Sequence, residues 1–261
     1  MKVIQYNIST AAANLAFIGD SHIGNPNHIA TILQTVINYT KKTHKLWVGM
    51  GDYAESILPT DPRFDFDSVN LKLKTPQEQF EYIKQLLQPI KKQCLGLLTG
   101  NHELTLKKRT THNYTEELAK ELETQYLTIN AYIRLHFTKI NRDFDIYCHH
   151  GWCGGRTKTG AIKSIGDLAN IYSNANLYVM GHVHQLGLAE ERASLHINEN
   201  LDIKDNLQYF AFSGSFLRGY VKDSTSYVEE KGYRPNVLGA LTVSIIPQED
   251  NSFKVETGSV R

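Results

Sequence analysis

Five short motifs in the sequence carry side chains that can bind a metal ion, and each follows an apolar run typical of a buried strand. The motifs are Gly19-Asp20-Ser21-His22, Gly51-Asp52, Gly100-Asn101-His102-Glu103, His149-His150-Gly151 and Gly181-His182-Val183-His184. In open α/β sheets, ligands bind at the carboxyl ends of the strands. Carboxylates, imidazoles and an amide oxygen together suit Mn²⁺, Fe²⁺ or Zn²⁺ better than Ca²⁺, which prefers an almost pure oxygen set.

The number and spacing of these side chains predict two metal ions. Asp20 and His22 are two residues apart, so both can reach one ion from an extended loop. His182 and His184 have the same spacing. Two aspartates, an asparagine and at least four histidines are more ligands than one four-coordinate ion needs. They match a two-metal site, in which the ions lie ~3.5–4 Å apart.

Each motif on its own also has a structural explanation. The Gly-Asp pairs can form the turn before a helix, the Asn101 motif can cap a helix, and the His182 motif can end a buried strand with its imidazoles hydrogen-bonded. Core packing, however, has no use for so many desolvated histidines and carboxylates at five strand ends. The combination therefore indicates a functional site.

Strands and helices alternate over the first two thirds of the chain. A strand is predicted at LAFI, and a helix is predicted from Asn25, with Pro26 at its first position. The next strand is predicted at LWVGM, and Thr75 with Glu78 three residues later forms the capping-box pattern of a second helix. The alternation continues with strands at CLGLLT, DIYCHHG and LYVM, a polar loop after Gly100, and helices from Thr115 and at 162–172.

The pattern changes near residue 190, where strands without long helices are predicted at SLHIN, LQYFAFS and ALTVSII. We therefore predict an α/β fold whose second sheet comes largely from a β-rich C-terminal third. No linker or break in composition divides the chain, so residues 1–261 are interpreted as a single domain. The segment 56–74 is predicted to be a surface insertion, and loops of that length often have a function.

The composition excludes several classes of protein. The chain has 261 residues, enough to bury a large core, and a formal net charge of +1, which argues against a strongly polyanion-binding surface. Its three cysteines do not fit a disulfide framework, so a reducing, cytoplasmic location is predicted. No apolar run approaches the ~20 residues of a membrane helix, and no membrane partner is expected.

The motifs GD-x-H, GD, GNH-E, H-G and GH-x-H, in this order from Asp20 to His184, resemble those of the calcineurin-like metallophosphoesterases. The resemblance implies the metallophosphoesterase fold, a four-layer α/β/β/α sandwich of two mixed sheets. It also implies a binuclear metal centre that hydrolyses phosphate esters. The chain departs from the commonest form of the family where GNHE replaces GNHD.

The resemblance assigns a role to each metal-binding side chain. The implied ligands are Asp20, His22 and His184 for the first ion, Asp52 as the bridge, and Asn101, His182 and one histidine of the 149/150 pair for the second ion. We favour His150 of that pair, because Gly151 after it permits close backbone approach to the site. His149 would then contact a ligand or face the substrate.

Three further residues are candidates at the site. The resemblance implies that His102 contacts the phosphate; a metal-activated water attacks phosphorus while His102 protonates or hydrogen-bonds the departing oxygen. Glu103 is predicted to hydrogen-bond a ligand imidazole and fix its tautomer, with a surface or helix-start carboxylate as an equal alternative. Arg156, in the glycine-arginine loop after the histidine pair, is a candidate contact for substrate phosphate. The remaining histidines are interpreted as surface or packing residues.

Three functions remain in competition. The leading one is a metal-dependent phosphoesterase (EC 3.1), either a phosphomonoesterase or a phosphodiesterase that takes a small phosphate ester or a cyclic nucleotide. An Mre11/SbcD-like nuclease acting on DNA stays open because a basic run, 107–109, follows GNHE, whereas the near-neutral charge favours a small substrate. A non-catalytic scaffold with this fold is the third alternative, and the retention of every ligand argues against it.

Overall fold

The computed structural model of the chain describes residues 1–61, 64, 70, 72–152, 158–197, 201, 203–222 and 226–261. Its strands are β1 (Lys2–Ile8), β2 (Ala13–Ile18), β3 (Leu46–Gly49), β4 (Cys94–Leu98), β5 (Tyr126–Thr128), β6 (Asn130–Phe137), β7 (Arg142–His149), β8 (Leu177–Met180), β9 (Leu186–Ile197), β10 (Ile203–Ser215), β11 (Gly239–Pro247) and β12 (Phe253–Val260). Its α-helices are α1 (Ala30–Thr43), α2 (Pro76–Leu87), α3 (Asn101–Thr110), α4 (Tyr114–Glu121), α5 (Lys158–Gly166), α6 (Leu168–Ile171) and α7 (Tyr227–Glu230). A 3-10 helix, Gln88–Gln93, connects α2 to β4.

The strands of the described residues follow one hydrogen-bonded path, in the order β1-β6-β7-β8-β10-β11-β2-β3-β4-β5, with β9 beside β10 and β12 beside β11. Parallel pairs such as β2–β3 and β7–β8 occur together with antiparallel pairs such as β6–β7. The chain therefore has a mixed α/β fold with a large mixed sheet. The long strand β10 pairs with β8 and β9, and it pairs with β11 only at Gly214 and Ser215. This short pairing joins the two halves of the path, which are β1-β6-β7-β8-β10 and β11-β2-β3-β4-β5.

Apolar side chains form three buried clusters around the strands. One contains residues from strands of both halves of the path, for example Phe17 and Ile133. The second packs α1 and α2 against β2 and β3, as in the pair Ile37 and Trp47, and the third packs α5 against β7, β8 and β10 through Ile165. Because the central strands bury both faces, they appear in the sequence as continuous apolar runs rather than alternating ones.

The five metal-binding motifs follow the ends of β2, β3, β4, β7 and β8, as the sequence predicts. The strands β2, β3 and β4 are parallel neighbours, and so are β7 and β8. Parallel neighbours end at the same edge of a sheet, so each run delivers its motifs to one place.

The helix predictions are partly correct. The capping box of α2 is confirmed, since Thr75 Oγ1 accepts from Glu78 N and Glu78 Oε2 accepts from Thr75 N. The predicted start of the first helix at Asn25 is wrong, because α1 begins at Ala30. Asn25 instead closes a turn around Pro26: its side-chain oxygen accepts from the N–H of residue 27 and its backbone oxygen from that of residue 28.

The prediction of a polar loop after Gly100 is also wrong, because this segment forms α3. Only Glu103 and Leu106 of α3 are buried, so the helix shows almost no apolar periodicity. Its first turn is stabilised instead by the Glu103 carboxylate, which accepts from the backbone N–H of Gly100.

Part of the predicted insertion at 56–74 lies outside the described residues, namely 62, 63, 65–69 and 71. Near its ends, Ser56 N donates to the Gln79 side chain of α2, and Asn70 N donates to Gly24 O. From Leu186 onward the described chain consists of β9 to β12 and the four-residue helix α7. None of the helices in the described ranges combines the length and apolar character that a membrane span requires.

Candidate metal centre

The structure brings the seven predicted ligands together at one edge of the strands. Among the described residues, three groups of side chains have their ligand atoms within 4.8 Å of one another, and two of these groups contain the predicted ligands. The first cluster is Asp20, His22 and His184; the second cluster is Asp52, His150 and His182, with Asn101 in contact with both of its imidazoles. The third group, His22, Glu55 and His102, shares His22 with the first cluster.

Two imidazoles face each other in the first cluster. The Nε2 atoms of His22 and His184 lie 3.2 Å apart, and His184 Nε2 is 3.5 Å from Asp20 Oδ1. The Asp20 carboxylate also accepts the backbone N–H of His182, at 3.1 Å and 3.0 Å from its two oxygens. Because Asp20 is fully buried and its carboxylate is fixed by this contact, its charge is held beside the two rings.

An amide oxygen lies between two imidazoles in the second cluster. Asn101 Oδ1 is 3.0 Å from His150 Nε2 and 2.7 Å from His182 Nδ1. His150 Nε2 is also 3.4 Å from Asp52 Oδ2. The same Asp52 oxygen is 3.9 Å from His22 Nε2 in the first cluster, so Asp52 faces both clusters.

Hydrogen bonds fix the position of the ring proton on one imidazole of each cluster. His22 Nδ1 donates to Glu55 Oε2 at 3.0 Å, because an ionised carboxylate only accepts. His150 Nδ1 donates to Met50 O at 2.8 Å for the same reason. In the neutral rings, both Nε2 lone pairs then point at oxygens or at another imidazole nitrogen. Such facing lone pairs repel each other unless a cation lies between them, so the donor set fits a divalent ion in each cluster.

The charges around His150 determine its protonation when no metal ion is bound. Burial alone would lower the pKa of His150, but the carboxylates of Asp52 and Asp20 raise it to about 10. Burial would likewise raise the pKa of Asp52, and the charge of His150 holds it well below its usual range. The ring of His182 is neutral, because burial and the neighbouring His150 lower its pKa to about 4. In the metal-free protein, a proton on His150 therefore supplies the positive charge that the second cluster requires.

Five of the seven predicted ligands adopt a left-handed backbone conformation. Their φ angles are +49° at Asp20, +47° at His22, +50° at Asp52, +65° at His182 and +55° at His184. This region costs a non-glycine residue ~1–2 kcal/mol, and backbone strain of this kind concentrates at functional sites. The packing of the surrounding fold therefore maintains a ligand geometry that the local chain disfavours.

The first turn of α3 carries three consecutive side chains with different partners. Asn101 contacts the second cluster, as described above. His102 N donates to Asp52 Oδ1 at 2.9 Å, and His102 Nδ1 donates to Glu55 O at 2.5 Å. The His102 ring stands edge-on to His22, with ring centroids 4.8 Å apart. The N-terminus of a helix stabilises negative charge, so α3 holds the Asp52 carboxylate between the clusters.

Glu103 bonds to the backbone at the start of α3, which agrees with the helix-start alternative and not with the predicted bond to a ligand imidazole. Its Oε2 accepts the N–H groups of Asp52 and Gly100, both at 2.9 Å. Its Oε1 accepts from Tyr53 N at 2.8 Å and from Ala54 N at 3.3 Å. Burial, and then the charge of Asp52, raise the pKa of Glu103 to about 7. The carboxylate therefore ties the loop after β3 to the first turn of α3.

Glu55 is a site residue that the sequence analysis missed. Its carboxylate accepts from His22, and its backbone oxygen accepts from His102. Burial would raise its pKa, but the nearby charges of His102 and His22 lower it, so Glu55 is ionised. In the sequence, Glu55 is visible only as a carboxylate three residues after Asp52, and this spacing does not predict its partner.

The two adjacent histidines have different partners. His150 belongs to the second cluster, whereas His149, the last residue of β7, accepts the N–H of Gly151 at Nδ1, 2.8 Å away. The His149 ring also stands edge-on to Trp152, with centroids 4.9 Å apart. Burial, and then the charge of His150, lower the pKa of His149 to about 4. The remaining candidate, Arg156, lies outside the described residues.

Gly100 and Gly151 allow the loops that carry the ligands to pack against each other. A Cβ atom at Gly100 would lie 2.0 Å from Asp52 Oδ1, so a side chain there would displace the carboxylate. Gly151 has φ +114°, and its Cβ would lie 2.8 Å from His182 Cβ. The absence of a side chain at both positions is therefore a requirement of the site.

The chain was compared with known proteins. No protein-family model matches it, and no curated protein matches it by sequence. The crystal structure of Chaetomium thermophilum Vps29 is similar with 11% identity and a TM-score of 0.39, covering 95% of this chain and 97% of that chain. The calcineurin-like phosphoesterase YfkN from Bacillus subtilis is similar with 10% identity and a TM-score of 0.36, covering 96% of this chain and 91% of that chain. Likenesses this low carry no argument about activity, so the function has to be inferred from the two clusters.

Proposed function

We propose that this protein is a metal-dependent hydrolase of phosphate esters (EC 3.1), with two divalent ions of the Mn²⁺, Fe²⁺ or Zn²⁺ type. One observation carries the proposal: two clusters of buried and partly buried ligand residues lie side by side, and Asp52 faces an imidazole Nε2 atom in each of them. A pair of neighbouring cation sites matches the requirement of phosphoryl transfer, in which charge develops on several oxygens at once.

The assignment of residues follows the contacts. The first ion would be held by Asp20, His22 and His184, and the second by Asn101, His150 and His182. Asp52 would bridge, since its Oδ2 lies 3.4 Å from His150 Nε2 and 3.9 Å from His22 Nε2. When bound, the ions supply Lewis-acid polarisation of phosphoryl oxygens and a lowered pKa for water at the site. Mixed nitrogen and oxygen donors support this class of ions over Ca²⁺.

The chain's own residues orient the reacting groups. Glu55 holds His22 in one tautomer through Nδ1, which leaves Nε2 as the ligand atom. His102 Nδ1 donates to Glu55 O, so the second nitrogen of the His102 ring is the one that can carry or release a proton at the substrate. In the proposed reaction, His102 hydrogen-bonds or protonates the leaving oxygen from this fixed position.

We extend the proposal to the architecture and the location. The three apolar clusters, one between strands of both halves and two beneath helices, support a four-layer α/β/β/α sandwich built as a single domain over 1–261. The free thiols of Cys94 and Cys148 support a cytoplasmic protein.

The substrate is proposed to be a small phosphate ester rather than DNA. The nuclease alternative depended on the basic run 107–109, which includes Arg109. Arg109 donates to Thr60 O at 3.0 Å and pairs with Asp61 at 3.6 Å. Its guanidinium is therefore engaged within the protein. The formal net charge of +1 also offers little attraction to a polyanion.

The test is hydrolysis of bis(p-nitrophenyl) phosphate and p-nitrophenyl phosphate by protein first stripped of metal with a chelator and then supplied with Mn²⁺. Release of p-nitrophenol that requires Mn²⁺ supports the proposal, and the preferred compound separates a diesterase from a monoesterase. A His102→Gln variant should be ~10²–10⁴-fold slower and should lose the fall in rate at alkaline pH that a general acid produces. No metal-dependent hydrolysis of either compound would refute the proposed function.

A further inference from the structure

An exposed tryptophan directly follows the His149-His150-Gly151 motif of the candidate metal centre. Trp152 is 36% exposed, while Trp47, which is the other tryptophan of the chain, is fully buried with its indole N–H donated to Ile90 O. The indole of Trp152 therefore keeps part of its apolar surface accessible to a ligand.

The turn that carries Trp152 packs on the second cluster. His150 belongs to that cluster, and Gly151 approaches His182 so closely that a Cβ on the glycine would lie 2.8 Å from His182 Cβ. Trp152 is the next residue, and its ring contacts that of His149, which directly precedes His150.

His149 supplies a hydrogen-bond donor next to this indole. Its Nδ1 accepts the N–H of Gly151 at 2.8 Å, so in the neutral ring the proton is on Nε2. The His149 and Trp152 rings are nearly perpendicular, at 79°, with centroids 4.9 Å apart. A flat group stacked on the indole would therefore stand at a steep angle to the imidazole, and the Nε2–H can point at an acceptor on the edge of that group.

We propose that His149 and Trp152 form a subsite for the nucleobase of a nucleotide substrate, an inference that rests on the proposed phosphoesterase function and names its substrate class. Every base presents a π face that stacks on an indole, and a base edge carries ring nitrogens or carbonyl oxygens that accept a hydrogen bond. A simple aryl ring can stack but has no acceptor within its ring, so the donor of His149 favours a base. The phosphate of the same molecule would reach the two clusters next to the subsite.

Binding can be measured without any catalytic activity. Adenosine 5′-monophosphate (AMP) and ribose 5-phosphate carry the same phosphate, but only AMP has a base. AMP should quench the fluorescence of Trp152, and ribose 5-phosphate should not. The Trp152→Leu variant should lose the quenching, because the remaining Trp47 is 0% exposed. Trp152→Phe should keep most of the AMP affinity, and Tyr6→Leu, which changes a comparably exposed aromatic (40%) on β1, should bind AMP as the original chain does.

Inhibition of bis(p-nitrophenyl) phosphate hydrolysis separates the subsite from the proposed function. AMP should inhibit about tenfold more strongly than ribose 5-phosphate, and this preference should disappear in Trp152→Leu. Equal inhibition by the two compounds, or quenching that persists in Trp152→Leu, would overturn the subsite even if hydrolysis is normal. If no hydrolysis occurs but AMP still quenches Trp152, the subsite stands and the proposed function fails.

Discussion

The two clusters use similar ligands but fix their imidazoles in different ways. In the first cluster, His22 is oriented by the carboxylate of Glu55. In the second cluster, His150 is oriented by the backbone oxygen of Met50. All three ligands of the first cluster have positive φ, whereas in the second cluster Asp52 and His182 have positive φ and Asn101 and His150 lie at the ends of regular elements.

This difference shows which contacts fix the ligand geometry in each cluster. The first cluster depends on strained loops and on a charged side chain, and a carboxylate partner makes a ligand imidazole more basic. The second cluster combines two strained residues, Asp52 and His182, with two ligands at the ends of regular elements, and His150 is oriented by a main-chain acceptor, which no substitution removes. Its charge balance in the metal-free protein comes instead from a proton on His150.

The largest effect is expected at Asp52, the residue that joins the clusters. Asp52→Asn removes the charge that faces both His150 and His22. We expect hydrolysis to slow by about a thousandfold or more, because several kcal/mol of electrostatic stabilisation is lost. The measurement is the rate of bis(p-nitrophenyl) phosphate hydrolysis at saturating Mn²⁺. Asp143→Asn, at a half-exposed carboxylate paired with His136 and Arg134, is the control and should leave the rate unchanged.

Substituting one imidazole in each cluster tests whether the clusters are separate sites. His22→Asn and His150→Asn should each lose one ion and slow hydrolysis by about a hundredfold, since each ring belongs to one ion in the proposal. Elemental analysis after dialysis against Mn²⁺ should find one ion per chain in either variant. If either variant lost all of its manganese, the two clusters would have to be treated as a single site.

A smaller effect is expected from the residue behind His22. Glu55→Gln keeps the size of the side chain and removes its charge, so the first ion should bind about ten- to a hundredfold more weakly. Hydrolysis should fall at limiting Mn²⁺ and recover as Mn²⁺ is raised. An unchanged Mn²⁺ titration would show that the carboxylate does not tune the first cluster.

The smallest effect is a proton released when metal binds. With a pKa of about 10, His150 is protonated at pH 8 in the metal-free protein, and an ion needs its lone pair. Binding of Mn²⁺ at pH 8 should therefore release about one proton from this ring, which calorimetry in two buffers of different ionisation enthalpy measures. As the pH rises through about 10, the release should vanish. His150→Asn should lack it at pH 8, and a wild-type protein that releases none would refute the charge balance described for the second cluster.

The strand ends of this site were predictable from the sequence, and its supporting contacts were not. Apolar runs followed by glycine and a polar residue give the ends of β2, β3, β4, β7 and β8, because buried strands have a simple pattern. The helix-start role of Glu103 was one of two equal alternatives, but its bonds to Asp52 N and Tyr53 N could not be predicted, since accepting backbone N–H groups leaves no mark on the sequence of the loop that donates them.

Helix α3 shows a second limit of sequence patterns. Periodicity detects a helix by its apolar face, and α3 buries only Glu103 and Leu106. At Pro26 a helix start was predicted where the chain forms a tight turn. The fixed φ of proline suits both a first helical turn and a tight turn. The edge strands β1 and β12 have mostly exposed side chains and were missed for the same reason as α3.

The central claim is that two ions lie side by side with Asp52 between them, and electron paramagnetic resonance of the Mn²⁺-loaded protein tests it most directly. Two Mn²⁺ ions bridged at ~3.5–4 Å are magnetically coupled and give a broad multiline spectrum. We predict that coupled spectrum at two ions per chain, and its loss in His22→Asn and His150→Asn. A simple six-line spectrum of isolated Mn²⁺ at full loading, or no bound manganese, would contradict the account.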